Sequence, residues 1–342
     1  MEKLLTVAVP AYNAQATLEK CLNSFVCAPE DMARLEVITV NDGSADGTLD
    51  IAREFARRWP GTFGFIDKPN GGHGSGINAA AAAAAGRYFK VVDADDWVVT
   101  ENLPALLGAL ARTEADAVLT HYHTVHMQTG ARVPFRTAGV ALGRPCTLDD
   151  LMAAGSPALI CCTFHGLCYR TAFYRGCGHR LSEGVFYEDQ EYATIPLAQA
   201  AGVLPLDLFF YEYMIGNASQ SVSDQNQVKR IGQLEQVYGA LDARFRRGGL
   251  TPAGRSYFLY KLKESAMGYY TTMLLKNPDR RGGRAAARAM RRRIAAENPD
   301  LAALTRRPYA IILLLHDLGA SGRTLDALRA SPLYLRLRAM MH

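Results

Sequence analysis

"YFKVVDADDWVV", residues 88–99, is an apolar run that ends abruptly in acid. Residues 88–92 read as a buried strand. Asp93, Asp95 and Asp96 then fall within four positions, followed by Trp97. Unpaired charge is costly to hold against a core, so a core strand that stops in three carboxylates needs a reason. In an open α/β sheet, ligands sit at the C-terminal ends of the strands. The question is whether other strands of this chain also end in polar clusters.

They do. "LLTVAVPAY" reads as a first strand closed by Pro10 and is followed by "PAYN"; "LEVITVND" is a second, followed by "NDGSADGT"; "GTFGFIDKP" is a short third, followed by "NGGHGSGIN". Helical spacing lies between them. "ATLEKCLNSFV" places Leu18, Leu22 and Phe25 on one face, "GTLDIAREFARRW" gives a second helix, and "INAAAAAAAG" a third of small residues stopped by Gly86. "LPALLGALART" and "DAVLTHYHTVHM" continue as helix and strand to about residue 127. Alternating strand and helix predicts an α/β domain with a mixed, mostly parallel sheet flanked by helices, its crossovers right-handed. Alternation weakens after residue 130, and helical periodicity dominates from residue 226. The predicted division is therefore a Rossmann-like domain over 1–225 and a helical region over 226–342.

Composition limits the classes available. Of 342 residues, 49% are apolar, enough for a substantial core, and the longest apolar run, "AIILLL" at 310–315, is far short of a membrane span. The start, "MEKLLTVAVPAYN", lacks the basic and hydrophobic regions of a signal peptide, so the expected location is the cytoplasm. The seven cysteines are odd in number and form no C-x-x-C pair, which argues for free thiols in a reducing compartment rather than a disulfide frame or zinc site. Charge is split: residues 226–342 carry 22 Lys+Arg against 8 Asp+Glu, net +14, whereas the first 225 carry 16 against 25, net −9. A basic tail on an acidic domain suggests contact with an anionic surface.

The carboxylates have a chemical explanation. Hard divalent cations such as Mg²⁺ and Mn²⁺ take oxygen ligands, typically one or two carboxylates completed by water and substrate phosphates. A cation so held neutralises the charge that develops on a departing diphosphate. A second acidic group, Glu188, Asp189 and Glu191, follows the apolar "GVFY". Mutual repulsion there favours a raised pKa suited to a general base; acids at a solvated helix start, favoured by the helix dipole, are the competing reading.

In order, "VAVPAYNA", "VNDGSADGT", "NGGHGSGIN", "KVVDADDW", "YEDQEY" and "QSVS" give the chain its resemblance, over residues 4–225, to the GT-A family 2 glycosyltransferases, which are typically inverting enzymes that use nucleotide-diphospho sugars. The resemblance implies that Pro10, Ala11 and Tyr12, with Asn13, line the base pocket, and that Asp42 accepts from the N3–H of a uracil-like base. It implies that Asn70, Gly71 and Gly72, with Asn78, pass close to the nucleotide, that Asp93 with Ala94 meets the ribose, and that Asp95 ligates Mn²⁺ or Mg²⁺. Asp189 matches the catalytic base, which would deprotonate an acceptor hydroxyl; Glu188, Trp97 and Gln220 fall on the acceptor side. The implied donor is UDP-linked, and the implied acceptor a cell-surface glycan or its lipid carrier.

One departure stands out. Many relatives end the glycine segment in Ala-Arg-Asn, with the arginine facing the phosphates; here Gly76, Ile77 and Asn78 occupy those places, and His73 and Lys90 are the candidates to supply the lost charge. Two other functions compete. "GSGINA" fits a dinucleotide-binding G-x-G-x-x-A, although "DKPNGGH" separates it from its strand, which weighs against an oxidoreductase. A catalytically degenerate relative that scaffolds polysaccharide assembly fits the missing arginine but not the intact D-x-D. His121, His123 and His126 read as a strand end facing the acceptor side, the first two sharing a face, rather than as a metal site. The arginine run at 280–293 reads as a solvated helix face or as a patch for anionic lipid headgroups at a membrane periphery, with "PYAIILLLHDL" and "SPLYLRLRAMM" as its apolar companions. No nucleic-acid motif accompanies it, and no nucleic-acid partner is expected.

Overall fold

The structure, a computed structural model, describes residues 2–216, 224–322 and 324. The chain divides into two units, Met1–Asn217 and Ala218–His342, a few residues before the expected boundary.

The first unit holds nine strands: β1 (Leu5–Ala11), β2 (Leu35–Asp42), β3 (Phe63–Lys68), β4 (Tyr88–Val91), β5 (Trp97–Val98), β6 (Ala117–His126), β7 (Arg132–Phe135), β8 (Leu167–Arg170) and β9 (Val203–Ile215). They form one sheet in the order β3-β2-β1-β4-β8-β6-β9-β5, with β7 paired to β6. Its helices are α1 (Leu18–Asn23), α2 (Pro29–Met32), α3 (Thr48–Arg58), α4 (His73–Ala83), α5 (Leu103–Ala111), α6 (Leu148–Ala154), α7 (Ser156–Leu159), α8 (Thr171–Gly176) and α9 (Asp189–Thr194). β1, β2, β3 and β4 are parallel, with Val7 opposite both Val37 and Lys90. β8 enters antiparallel to β4 and β6, and β9 then runs parallel to β6. The sheet is thus mixed and mostly parallel, as the alternating pattern predicts. β1 and β4 are fully buried, which explains why they read as continuous apolar runs rather than alternating ones.

Two local expectations shift. β1 does not close at Pro10 but continues to Ala11. Ala8 C=O accepts from the Val92 N–H beyond the end of β4. Pro10, two residues on, faces the same side where β4 has already ended, so its missing N–H costs no ladder bond. α4 begins at His73, inside the segment expected to be loop. Gly is a poor helix former, but close packing demands it here: a Cβ on Gly74 would lie 2.3 Å from the Ser182 carbonyl oxygen, and one on Gly76 would lie 3.1 Å from Pro10 Cβ.

The second unit contains α10 (Asp224–Lys229), α11 (Ile231–Arg246), α12 (Pro252–Thr271), α13 (Arg280–Glu297) and α14 (Pro299–Asp317), with a π-helical turn at Thr272–Lys276. Thr251, Asp279 and Asn298 cap α12, α13 and α14, each accepting from a backbone N–H three residues on. The arginine run divides by role. Arg280 donates to the carbonyls of His316 and Ala320, Arg284 pairs with Asp317 (2.5 Å), and Arg291 lies over Tyr309. Arg281, Arg288 and Arg292 are exposed.

Candidate active site

The loops that follow β1, β2 and β3 are tied together by their own polar side chains. Asn13, at φ 49°, receives the Ala45 N–H on Oδ1 (2.9 Å), while its own N–H donates to Ser44 Oγ (3.0 Å). Asp46 accepts from the N–H groups of Gln15 and Thr48, both at 3.1 Å. Asp42, 3% exposed at the end of β2, gathers the glycine turn: Oδ1 accepts from Lys68 Nζ (2.5 Å) and the Gly71 N–H (3.0 Å), and Oδ2 from the Gly72 N–H (2.7 Å). Oδ2 keeps acceptor capacity for one further donor. Asn70 donates to the Asp42 carbonyl (2.9 Å).

These loops wall a cavity of about 340 Å³ lined by Pro10, Ala11, Tyr12, Asp42, Asn70, Gly72 and His73, and closed by Gly184, Val185 and Phe186. Its volume lies in the small-molecule range. The closing loop is fixed by partners distant in sequence. Gly184 N–H donates to the Gly71 carbonyl (2.7 Å). Asn78 donates to the Leu181 carbonyl and Glu183 Oε1, both at 3.0 Å, and accepts from the Leu181 N–H at the same distance. Glu191, fully buried, takes Ser182 N–H (2.7 Å) and Oγ–H (2.8 Å). Gly72 has φ +85°, and a Cβ there would lie 2.9 Å from Gly184 N. Gly72→Ala therefore combines a strained left-handed conformation, costing about 1–3 kcal/mol, with a backbone clash. The expected outcome is a lower midpoint in chemical denaturation and weaker nucleotide binding.

At the end of β4 the three acids separate by burial. Asp96 is 1% exposed and accepts from Tyr211 Oη–H (2.6 Å) and the Met214 N–H (2.7 Å). Burial, followed by the charges of Asp93 and Asp95, raises its pKa well above the usual carboxylate range. Tyr211 Oη in turn receives the Asp93 N–H (3.2 Å), so Asp96 braces the turn. Asp93 and Asp95 stay partly open. Among the described residues, Asp93, Asp95 and Asp96 are the one group able to converge on a metal. With Asp96 buried and engaged by Tyr211 and Met214, Asp93 and Asp95 are the partly exposed carboxylates of the group, a set that fits a hard cation completed by water and phosphate oxygens.

His73 joins this cluster to the second acidic group. Its Nε2 lies 2.8 Å from Asp93 Oδ1 and its Nδ1 2.5 Å from Glu188 Oε1. Burial opposes charge on the ring, but Asp93 and Glu188 outweigh it, and the pKa of His73 is raised well above its ordinary value. For Asp93, burial pushes upward and the His73 charge overcomes it, leaving the carboxyl below its ordinary range. Asp189 opens α9 directly after Glu188, while Tyr187 adopts φ +76°. Burial and then the charges of Asp96, Asp93, Asp189 and Asp95 raise the pKa of Tyr213. β9 thus carries Tyr213 within electrostatic reach of both acidic groups.

Several expected positions acquire other partners. Asn78 lies outside the cavity walls, its amide clamping residues 181–183. Lys90 is wholly buried and donates to the carbonyls of His165 (2.6 Å) and Leu167 (3.2 Å), so it is not the replacement for the absent arginine. Burial lowers its pKa to about 8. Trp97 lines a second cavity, about 600 Å³, with His123, Arg132, Phe209 and Glu212, and Lys20 Nζ sits 3.0 Å above its ring. Successive strand residues face opposite ways. With Tyr211 turned toward Asp96, Glu212 and the Trp97 cavity fall across β9 from Tyr211. His121 and His123 do share a face, both packing on Phe209, and His123 Nδ1 lies 3.0 Å from Glu212. Glu188, expected toward the acceptor, is 3% exposed and held by His73. Gln220 lies outside the described residues. The sequence reading gave the closing residues 184–186 no role beyond the apolar "GVFY" that precedes the second acidic group.

A mixed, mostly parallel sheet that presents polar loops and a D-x-D along one edge, with an acid brought in on a later helix, defines the GT-A class of transferases. Comparison with known proteins agrees. Residues 6–175, about half the chain, match the family model described as Glycosyl transferase family 2, and the chain belongs to that family. The uncharacterized glycosyltransferase EpsJ of Bacillus subtilis is 27% identical over 215 residues, 62% of this chain and 61% of EpsJ. The chain spans less than two thirds of the length of the curated relatives it matches. The crystal structure of S. aureus TarS 1–349 in complex with UDP-GlcNAc has a TM-score of 0.67 at 20% identity, covering 93% of this chain and 92% of that one. The mannosyltransferase PcManGT from Pyrobaculum calidifontis, in complex with GDP-Man and Mn²⁺, has a TM-score of 0.52 at 17% identity, covering 93% and 88%. At these identities the structural likeness shows the shared fold.

Proposed function

We propose that the protein is a metal-dependent, inverting glycosyltransferase that moves a sugar from a nucleotide-diphospho sugar, UDP-linked in our reading, to a hydroxyl of a glycan or lipid-linked saccharide in cell-surface polysaccharide synthesis. The observation that carries this reading is the bridge made by His73, 2.8 Å from Asp93 at the end of β4 and 2.5 Å from Glu188 beside Asp189, at the wall of a nucleotide-sized cavity. Pro10, Ala11 and Tyr12 form the wall against which the base would lie, and Asp42 Oδ2 has capacity for the imide N–H of uracil. Asp95, with Asp93, would hold Mn²⁺ or Mg²⁺, which when bound supplies neutralisation of the diphosphate charge. The Asp189 carboxylate takes the acceptor hydroxyl proton as that oxygen attacks the anomeric carbon. The bond from that carbon to the diphosphate oxygen breaks on the opposite face, which inverts the configuration. Val185 and Phe186 cover the cavity against water.

No described helix is long and apolar enough to cross a membrane. α14 exposes Leu304, Ile311 and Leu314 at helical spacing, Leu318 follows at its C-cap, and Arg306 and Arg307 are exposed beside them. These features support peripheral contact with an anionic bilayer, by apolar burial together with charge attraction. The transferase reading is tested by thermal stability against UDP, GDP, CDP, dTDP and NAD, with and without Mn²⁺. A ligand at a hundredfold its dissociation constant stabilises by about 2.7 kcal/mol, and a Mn²⁺-dependent rise with UDP is the expected result. No response to any diphosphate would leave the scaffold reading in its place.

A further inference from the structure

We propose that His73 is a positioning residue, a latch that sets the separation between the donor-handling carboxylates and the base, and so decides whether the acceptor hydroxyl or water receives the sugar. The inference rests on the transferase reading above and assigns within it a role that none of the motif positions carries.

The argument is geometric. Asp93 sits at the end of β4 in the parallel half of the sheet. Asp189 begins α9, directly after Glu188 and more than 90 residues later in the chain. One ring joins these two segments side chain to side chain, at 2.8 Å to Asp93 and 2.5 Å to Glu188. The ring has little freedom to sit elsewhere. His73 is the first residue of α4, and Gly72 before it is fixed by Asp42 and packed on Gly184. Gly74 after it lies against the Ser182 carbonyl, and a Cβ there would be 2.9 Å from Glu188 Cγ. Phe164 packs edge-on to the imidazole at 6.4 Å. α4 thus carries a rigid strut whose two nitrogens hold the two halves of the site in register. His73 also lines the cavity wall, so it lies where the donor and acceptor regions meet. A carboxylate pair brought this close would repel; an imidazole between them converts repulsion into a fixed spacing.

The two nitrogens can be removed separately. An asparagine amide reaches the place of Nδ1 and keeps the Glu188 contact; a glutamine amide reaches the place of Nε2 and keeps the Asp93 contact. His73→Gln is expected to keep wild-type UDP affinity by calorimetry, to lose transfer by about 10²-fold, as expected for a displacement of about 1 Å, and to raise the ratio of donor hydrolysis to transfer. His73→Asn is expected to weaken Mn²⁺-dependent UDP binding by about 10-fold, the lower end for partners that orient a metal-site carboxylate, with a smaller change in that ratio. His73→Ala loses both properties. Three variants that match wild type in UDP affinity, kcat and hydrolysis ratio would overturn the latch, as would three that lose all properties in parallel with their melting temperature.

Hydrogen exchange without substrate reads the latch independently of turnover. In His73→Ala, amides at 93–96 and 187–191 are expected to exchange faster together. Change confined to 70–78, or no change, overturns the inference. Coupled exchange in a protein that binds no nucleotide would leave the latch standing and remove the transferase reading instead.

Discussion

Asp189→Asn is expected to lower kcat for sugar transfer by about 10²- to 10⁴-fold, the range that a positioned general base contributes, while UDP affinity stays within a few-fold of wild type. The asparagine has nearly the same shape but cannot accept the hydroxyl proton. The site is built so that this change stays local. Asp189 is the first residue of α9, and the packing of that helix rests on Tyr192, Ala193 and Thr194, all buried. The neighbouring anchors, Glu188 to His73 and Glu191 to Ser182, do not involve the Asp189 side chain. The check is steady-state kinetics alongside calorimetric titration with UDP and Mn²⁺. A variant that keeps wild-type kcat would remove Asp189 from the role of base, and one that fails to bind UDP would show that the residue serves the donor instead.

The second large effect is expected at Asp95. Asp95→Asn removes one of the two partly exposed carboxylates of the group, Asp96 being buried and engaged by Tyr211 and Met214. Among the described residues, Asp93, Asp95 and Asp96 are the group whose ligand atoms lie close enough together to hold a cation. The expected result is loss of the Mn²⁺-dependent part of UDP binding and of transfer, with the melting temperature of the unliganded protein unchanged or slightly raised as like-charge repulsion falls. Asp96→Asn should behave in the opposite way. It disturbs the turn through a buried hydrogen-bond pair, a loss of about 1–3 kcal/mol of stability, and affects binding only through that. Metal titration and thermal melts on the two variants separate a ligand from a brace.

Much of the arrangement was legible in the chain itself. The edge that carries the site could be placed because β1, β2, β3 and β4 each announce their own end, an apolar run stopping at Pro10–Tyr12, at Asp42, at Lys68 and at Asp93. What could not be placed was the use each polar group is put to. Asn78, read as facing the nucleotide, is taken by Leu181 and Glu183, about a hundred residues away. Trp97 adjoins the acids in sequence, yet it pairs with Glu212 of β9 and lines a second cavity with it. His73 stands in a glycine segment whose reading as a loop concealed that it opens a helix.

The sequence by itself determined the alternation of strand and helix, the polar edge, the two acidic groups, the family resemblance and the split of charge between an acidic domain and a basic helical region. These are properties of period and composition, which each short segment carries alone. Only the tertiary structure decided which of three adjacent aspartates is a buried brace and which two stay partly exposed, that Lys90 serves the core, that residues 184–186 close the cavity, and that one imidazole ties Asp93 to Glu188. Burial and hydrogen-bond partnership depend on what packs from the far side of the sheet, and no local pattern contains that neighbour.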